Sequence, residues 1–141
     1  MIRTFALVFG IIYLLVGILG FVPGLNQHHA DLPPLAVESF YGRLMGLFPV
    51  NLLHNVAHIL IGAWGILSSR TVAASRLYGK GLAIIYGLLA VMGLVPGLNT
   101  TFGLIPLFGH DVWLHAGSAL IAAYFGWVAR ESDGAPRDAV A

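Results

Sequence analysis

The feature that most limits the fold of this chain is a long apolar stretch near its beginning. Between Arg3 and Asp31 no residue is acidic or basic apart from a pair of histidines. The part from Thr4 to Val22 is long enough to cross the hydrocarbon core of a bilayer, which requires about 20 apolar residues. We therefore predict a membrane-spanning helix over residues 4–22.

A cleavable signal peptide is the alternative interpretation of this segment, because Arg3 precedes the apolar run. The run is longer than the apolar region of an ordinary signal peptide, and no small-x-small cleavage site follows it. The internal repeat described below also places the segment inside a duplicated unit. We therefore expect it to be a structural helix.

The whole chain has too few charged residues to cover a water-exposed surface. Charged residues make up 9% of the sequence, whereas soluble domains carry about 25%. We therefore expect the lipid bilayer to cover most of the surface of the protein. The net charge of +1 argues against nucleic-acid binding, which needs a clustered basic face. Since the sequence has no cysteine, disulfides, thiolate metal sites and cysteine nucleophiles are excluded.

Three later apolar segments predict three more helices, so the expected fold class is an all-α membrane protein with four transmembrane helices. Helix 2 is predicted at residues 51–69, with Asn51 as its N-cap, because an asparagine side chain accepts bonds from the first free N–H groups. Helix 4 is predicted at residues 112–129, with Asp111 as its N-cap.

The connections between these helices differ in character. A basic loop at residues 70–80 is predicted to run into helix 3, which ends near Val95. Residues 35–45 have apolar side chains at helical spacing, so we predict a short interfacial helix in the first outer loop. The polar tail at residues 131–141 is predicted to be disordered.

The basic residues are divided unequally between the two ends of the predicted helices. Arg43 alone falls on one side. Short cytoplasmic loops carry an excess of lysine and arginine, so we predict that both termini and the middle loop are cytoplasmic. Six basic residues fall on that side: Arg3, Arg70, Arg76, Lys80, Arg130 and Arg137.

An internal duplication connects the two halves of the chain. Residues 11–26 (IIYLLVGILGFVPGLN) recur as residues 84–99 (IIYGLLAVMGLVPGLN). Each repeat is a helix, an outer loop and a second helix, so the copies have the same orientation in the membrane. We predict one domain over residues 1–130, with parallel helix-hairpin repeats at about 4–69 and 76–130.

The same duplication relates two histidines. Residues 46–49 (GLFP) align with residues 103–106 (GLIP), and in that register His58 matches His115. A pseudo-two-fold axis along the membrane normal would place these two histidines at equal depth. Duplication is also a simple way to build a stable bundle, so the repeat alone does not establish a functional site.

All six histidines fall on the predicted outer side, in outer loops or in the outer halves of helices: His28, His29, His54, His58, His110 and His115. His54 and His58 are four residues apart on helix 2 and share one face, so their imidazoles can bind one metal ion. His115 would supply a third ligand, and His110 or Asp111 would complete the site or orient a ligand. Zinc or copper suits three histidines, and a haem between His58 and His115 is an alternative.

A structural role is the other interpretation of these histidines. His54 lies in the first turn of helix 2, where it can help to cap the helix. His58 and His115 can hydrogen-bond to each other and connect the repeats. The histidine pair at positions 28 and 29 is expected to be solvated in a loop.

The start of helix 2 carries the motif Phe-Pro-x-Asn-x-x-His-Asn-x-x-His, followed later by Leu-His. Its residues here are Phe48, Pro49, Asn51, His54, Asn55, His58, Leu114 and His115. With this motif the chain resembles a bacterial family, the four-helix membrane proteins of domain-of-unknown-function family 4383. The resemblance covers about residues 5–130 and implies a four-helix fold in the bacterial inner membrane, with no assigned activity.

The sequence favours a non-enzymatic accessory subunit or scaffold, because glycine-rich helix faces suit association with other membrane helices or a homo-oligomer. The alternatives are a metal- or haem-binding membrane protein and a small channel or transporter. The last has weak support, because no acidic residue lies inside a predicted helix.

Overall fold

Each of the four apolar segments forms a helix. The computed structural model describes residues 1–27 and 31–131 and is mostly helical. The helices are α1 (Ile2–Leu19), α2 (Leu52–Ser68), α3 (Val72–Leu94) and α4 (His110–Ala123), and a π-helical turn, Tyr124–Val128, continues α4. Residues 132–141 of the tail predicted at 131–141, and the predicted loop histidines His28 and His29, lie outside the described residues.

Helix α2 begins where the sequence predicts. The side chain of Asn51 accepts a hydrogen bond of 3.0 Å from the backbone N–H of His54. This bond satisfies one of the N–H groups that a helix leaves without a partner in its first turn. The N-cap prediction for Asn51 is therefore confirmed.

The prediction of a basic loop at residues 70–80 is wrong for most of these residues, which are helical. Helix α3 begins at Val72, because the Thr71 side chain accepts a 3.1 Å bond from the N–H of Ala74 and caps it. Arg76 and Lys80 therefore lie on the first turns of α3. The two helices are joined only by the turn after Ser68.

The prediction that Asp111 caps α4 is also wrong. Gly109 occupies the N-cap position with a φ of 69°, a conformation that glycine adopts without steric cost. Asp111 lies inside the first turn, where a carboxylate interacts favourably with the positive end of the helix dipole.

The predicted interfacial helix is absent from residues 35–45. The first outer connection instead forms a small antiparallel sheet of β1 (Asn26–Gln27), β2 (Gly42–Leu44) and β3 (Phe48–Val50), in the order β1-β2-β3. Met45 and Gly46 have φ values of 54° and 74°, and this tight turn reverses the chain between β2 and β3. The turn overrides the helical spacing of the apolar residues.

Two close helix pairs form the body of the protein: α1 packs mainly on α2, and α3 mainly on α4 and its π-helical turn. Gly10 of α1 lies directly against Gly62 and Gly65 of α2. Gly79 of α3 lies against Gly126. Because glycine has no side chain, the helix backbones approach closely at these positions, as in small-residue contacts between membrane helices.

Aromatic side chains join the two pairs. Tyr78 and Tyr86 of α3 are almost completely buried and meet residues of α1. The Phe5 ring stacks on that of Phe125, with ring centroids 4.5 Å apart. The buried cluster consists of Phe5, Ala6, Tyr13, Tyr78, Leu82, Tyr86 and Ala122.

One end of the bundle brings together the beginning of α1, the α2–α3 turn and the end of α4. The amino group of Met1 lies 2.9 Å from Oε1 of Glu131. Arg3 Nε donates to the carbonyl of Ser69, and Arg76 donates to that of Ala129. The loops that follow α1 and α3, called the outer loops after the side predicted for them, lie at the opposite end with the small sheet.

Two of the helices, α1 and α3, are long and apolar enough to cross a membrane by length and composition. Helix α2 is also apolar but has 17 residues. The mostly helical fold with four helices agrees with the prediction from the sequence.

Candidate metal centre

The three histidines predicted as metal ligands lie together. His54 and His58 belong to α2 and His115 to α4, and one nitrogen of each lies within 4.8 Å of the others. All three side chains are buried. An ion about 2.0 Å from each of three nitrogens would hold them about 3.5 Å apart. Small rotations of the imidazoles would therefore suffice to enclose one ion.

The four-residue spacing on α2 places its two imidazoles face to face. The rings of His54 and His58 are 4.6 Å apart between centroids, with 29° between their planes. The ring of His115 lies 6.1 Å from that of His54. The three rings therefore approach one another from two helices that belong to different halves of the chain.

A buried carboxylate lies behind His115. Nδ1 of His115 is 3.2 Å from Oδ2 of Asp111, and the two side chains are 2% and 1% exposed. Neither atom makes an aligned hydrogen bond among the described residues. A carboxylate beside the outer nitrogen of a metal-ligating histidine orients the ring and makes the other nitrogen a better donor. Asp111, predicted as a minor candidate, therefore lies in position to orient His115.

The register of the sequence repeat pairs these residues. The alignment that matches His58 with His115 also matches His54 with Asp111, since both pairs are separated by the same number of residues. Each half of the chain thus contributes two buried polar side chains spaced i, i+4. In the second half a carboxylate stands where the first half has an imidazole.

Sequence reasoning missed two tyrosines that support the histidines. The Tyr13 ring stacks on His58 at 5.7 Å with 9° between the planes, and the Tyr86 ring meets His115 edge to face at 4.7 Å. Both tyrosines end the repeated Ile-Ile-Tyr element. That shared element was the available signal for them.

A small cavity adjoins the three imidazoles. Its volume is about 70 Å³, and its other walls include Ala57, Ile61, Leu89, Ile105 and Leu107. This space suits a metal ion. A porphyrin is several times larger, so the cavity does not fit the haem predicted as an alternative between His58 and His115.

The structural roles predicted for the histidines find less support. The His54 ring does not cap α2, because Asn51 performs that role. Neither ring nitrogen of His54, nor Nδ1 of His58, makes an aligned hydrogen bond among the described residues. No hydrogen bond joins His58 to His115 in that part of the chain. His110 is exposed at the start of α4 and lies outside the cluster.

Asn51 connects the site to both outer loops. Its Nδ2 donates to the carbonyls of Val37 at 3.0 Å and of Leu104 at 2.7 Å. The N–H of Ala36 donates to the carbonyl of Gly103 at 2.8 Å. These bonds hold the two loops together at the end of α2 that carries His54.

Comparison with known proteins identifies the family but not an activity. A family model described as a domain of unknown function, DUF4383, matches residues 3–128. No curated protein and no solved structure matches the chain. The resemblance carried by the start of α2 is thus confirmed over nearly the whole described chain, and this protein belongs to the DUF4383 family.

Proposed function

We propose that this protein is a four-helix membrane protein that binds one transition-metal ion through His54, His58 and His115. The observation that carries the proposal is the placement of three buried imidazole nitrogens within 4.8 Å of one another. Imidazole is a common ligand of zinc and copper. The site would lie near the outer end of the bundle.

The free-energy cost of burying imidazole nitrogens without hydrogen bonds supports a ligand at this position. A buried polar group without a hydrogen bond costs about 1–3 kcal/mol. His54 and His58 together present three such nitrogens within the described chain. A metal ion bound by lone pairs of these rings would offset part of that cost, to which the backbone of Pro49 beside the His54 ring contributes only a poorly aligned contact.

The outward faces of all four helices support insertion in a membrane. A soluble monomer rarely exposes continuous apolar surfaces of this extent. Helix α2 reaches the lower limit of about 17 residues for a crossing, and the π-helical turn extends α4 to Val128. Large exposed apolar residues include Leu7, Ile11, Leu15 and Ile18 on α1, Leu60 and Leu67 on α2, Leu77, Ile84, Leu88 and Val91 on α3, and Leu120, Ile121 and Trp127 on α4 or its extension.

The distribution of charge supports one orientation. The end of the bundle that contains the α2–α3 turn carries Arg3, Arg76 and Glu131. Arg43 lies at the opposite end and pairs with Asp31 at 2.8 Å. Under the positive-inside rule the first end faces the cytoplasm of a bacterial inner membrane. The histidines would then face the outer side.

Cysteine labelling of intact cells tests this orientation, because the natural sequence contains no cysteine. Met45→Cys lies on the exposed tip of the small sheet, and Ala73→Cys on the exposed start of α3. A membrane-impermeant maleimide should label the first variant in intact cells and the second only after lysis. Labelling of the second variant from outside would refute the orientation.

Most of the helix glycines that suggested a scaffold are engaged within the chain, whereas Gly87 has open space at its Cβ position. Gly10, Gly62 and Gly65 bring α1 and α2 together, and Gly79 and Gly126 bring α3 to the extension of α4. They are therefore not available to a partner helix. Because no comparable observation favours an accessory subunit, the metal centre is the better supported function.

Metal analysis of the purified protein tests the proposal. After incubation with zinc or with reduced copper and removal of excess metal in detergent, the unchanged protein should retain about one ion per chain. His58→Asn and His115→Asn should lose it, while His110→Asn, an exposed histidine outside the cluster, should retain it. Far-UV circular dichroism and gel filtration show that each variant is folded. Equal metal content in the folded His58→Asn variant would refute the site.

A further inference from the structure

We infer that the ion held by His54, His58 and His115 is monovalent copper, Cu(I). This inference rests on the proposed metal centre and adds the identity and charge of the ion. It follows from three properties of the site, which are the type of donor, the burial of charge and the lack of a fourth ligand among the described residues.

The donor set is neutral. The cluster contains three imidazoles and no carboxylate. Among the described residues, Asp111 contacts the cluster through Oδ2, which faces Nδ1 of His115 on the side away from a metal bound through the other nitrogen. The ion would therefore keep its full charge at the three neutral ligands.

Burial makes the size of that charge decisive. The three histidines and Asp111 are at most 3% exposed. The cost of transferring an ion from water into a medium of low dielectric constant rises with the square of its net charge. A monovalent ion therefore costs less to bury among these side chains than Zn²⁺ or Cu²⁺, each of which carries twice the charge. The environment thus favours Cu(I) over either divalent ion.

The number of donors also favours Cu(I). Cu(II) and Ni(II) prefer four or more ligands in square-planar or tetragonal arrangements. Zinc bound by three histidines completes its shell with a water molecule. Cu(I) has a filled d shell, and three imidazoles can satisfy it without a fourth ligand.

The cavity offers little to a metal-bound water. Buried waters make about three hydrogen bonds, whereas Ala57, Ile61, Leu89, Ile105 and Leu107 offer apolar side chains. The hydroxyl of Thr101, which also lines the cavity, already donates to the carbonyl of Ile105 at 3.0 Å. Because a donating hydroxyl can still accept, the oxygens of Thr101 and Tyr86 are the two side-chain hydroxyl acceptors that this mostly apolar lining offers to a water on zinc.

Competition titrations of the full-length protein in detergent test the inference. Cu(I) is titrated without oxygen against the chromophoric chelator bicinchoninate, and Zn²⁺ in a separate series against a chromophoric zinc indicator. We expect one Cu(I) per chain, bound at least 100-fold more tightly than Zn²⁺. X-ray absorption at the copper edge should show a three-coordinate nitrogen environment.

Two variants separate the possible outcomes. Asp111→Asn removes the carboxyl group beside Nδ1 of His115 and should weaken Cu(I) binding about 10- to 100-fold, the usual effect of losing a carboxylate that supports a ligating histidine. His110→Asn, the exposed control, should bind Cu(I) as the unchanged protein does. Tighter binding of Zn²⁺ than of Cu(I) at the three histidines would overturn the copper assignment and leave the metal centre intact. Binding of neither ion would refute the metal centre itself.

Discussion

The rings of Tyr13 and Tyr86 meet edge to face, with centroids 5.2 Å apart and 84° between their planes. The two residues occupy the same position in the two copies of the repeat. Tyr13 also stacks on His58, and Tyr86 packs against His115. The tyrosine pair thus lies between the halves of the chain and supports one histidine from each.

Tyr86→Ala should damage both the core and the histidine cluster. Replacing a buried aromatic residue by alanine costs about 3–5 kcal/mol of stability, and His115 would lose the ring that restrains it. We expect a lower unfolding temperature in detergent and weaker metal binding. Tyr86→Phe keeps the ring and should bind metal nearly as the unchanged protein does. Full metal affinity in a folded Tyr86→Ala protein would contradict the supporting role.

Because the helices are in close contact at some glycines and not at others, the effect of a glycine-to-alanine substitution on stability should depend on its position. In Gly10→Ala the new Cβ would lie 2.5 Å from the backbone nitrogen of Ile66 and 2.8 Å from the carbonyl oxygen of Gly62. Backbone atoms cannot move aside as a flexible side chain can, so α1 and α2 must separate. We expect a loss of about 1–3 kcal/mol, the usual cost of overpacking, measured by denaturant unfolding in detergent micelles.

Gly117→Ala is the matched control for Gly10→Ala. It introduces the same methyl group into a helix, at a position with no atom within 4 Å of the new Cβ. Because alanine also has the higher helix propensity, this variant should be as stable as the unchanged protein or slightly more so. Equal destabilisation by both substitutions would show that the effect of Gly10→Ala does not come from the α1–α2 contact.

A contact at the end of the bundle away from the histidines leads to a prediction about the pKa of Glu131. The amino group of Met1 and the N–H of Ile2 both donate to the Glu131 carboxylate, and these bonds lower the pKa of Glu131 below its usual 4.5. Because the folded pKa is the lower one, the contact contributes fully above about pH 4.5. Its contribution is lost as the pH falls through the folded value.

Carbon-13 NMR of the labelled carboxyl group measures this pKa directly. Glu38→Gln leaves Glu131 as the sole glutamate, which assigns the signal. We expect a midpoint below 4.5, and a return towards 4.5 when two added residues, Ser-Gly, move the amino group away from Met1. An unchanged midpoint in the extended chain would show that the amino group is not responsible for the shift.

The sequence predicted the helices better than the connections, for a physical reason. Long apolar segments leave few alternatives to a helix, so the bounds of α2 differ from the prediction by one residue at each end. The region before β3 has apolar residues at helical spacing too, but the positive φ values at Met45 and Gly46 redirect it into a sheet. Such a turn depends on pairing with residues 26 and 27, which local spacing does not reveal.

The candidate site was predictable in part for a related reason. The spacing of His54 and His58 is a local property of one helix, and the repeat related His115 to them. The contact of Tyr86 with His115 depends instead on how α3 packs against α4. The bonds from Asn51 to both outer loops likewise depend on tertiary structure. Neither relationship has a signature in the spacing of residues along the chain.

Asn51 has two separable roles, and two substitutions distinguish them. Asn51→Asp keeps an oxygen that can accept the N–H of His54, so the α2 cap should survive. It has no N–H to donate to the carbonyls of Val37 and Leu104. Asn51→Ala loses both roles, and the cap alone is worth about 0.5–2 kcal/mol.

We therefore expect different patterns of amide hydrogen exchange. In Asn51→Asp the N–H of Ala36, which bonds to the carbonyl of Gly103, should exchange faster because the loops are no longer held together. The first turn of α2 should remain protected. In Asn51→Ala both regions should exchange faster. Thr71→Ala, which removes only the cap of α3, should leave the outer loops unchanged. Faster exchange of Ala36 in that control would mean that the outer loops respond to loss of stability in general rather than to Asn51.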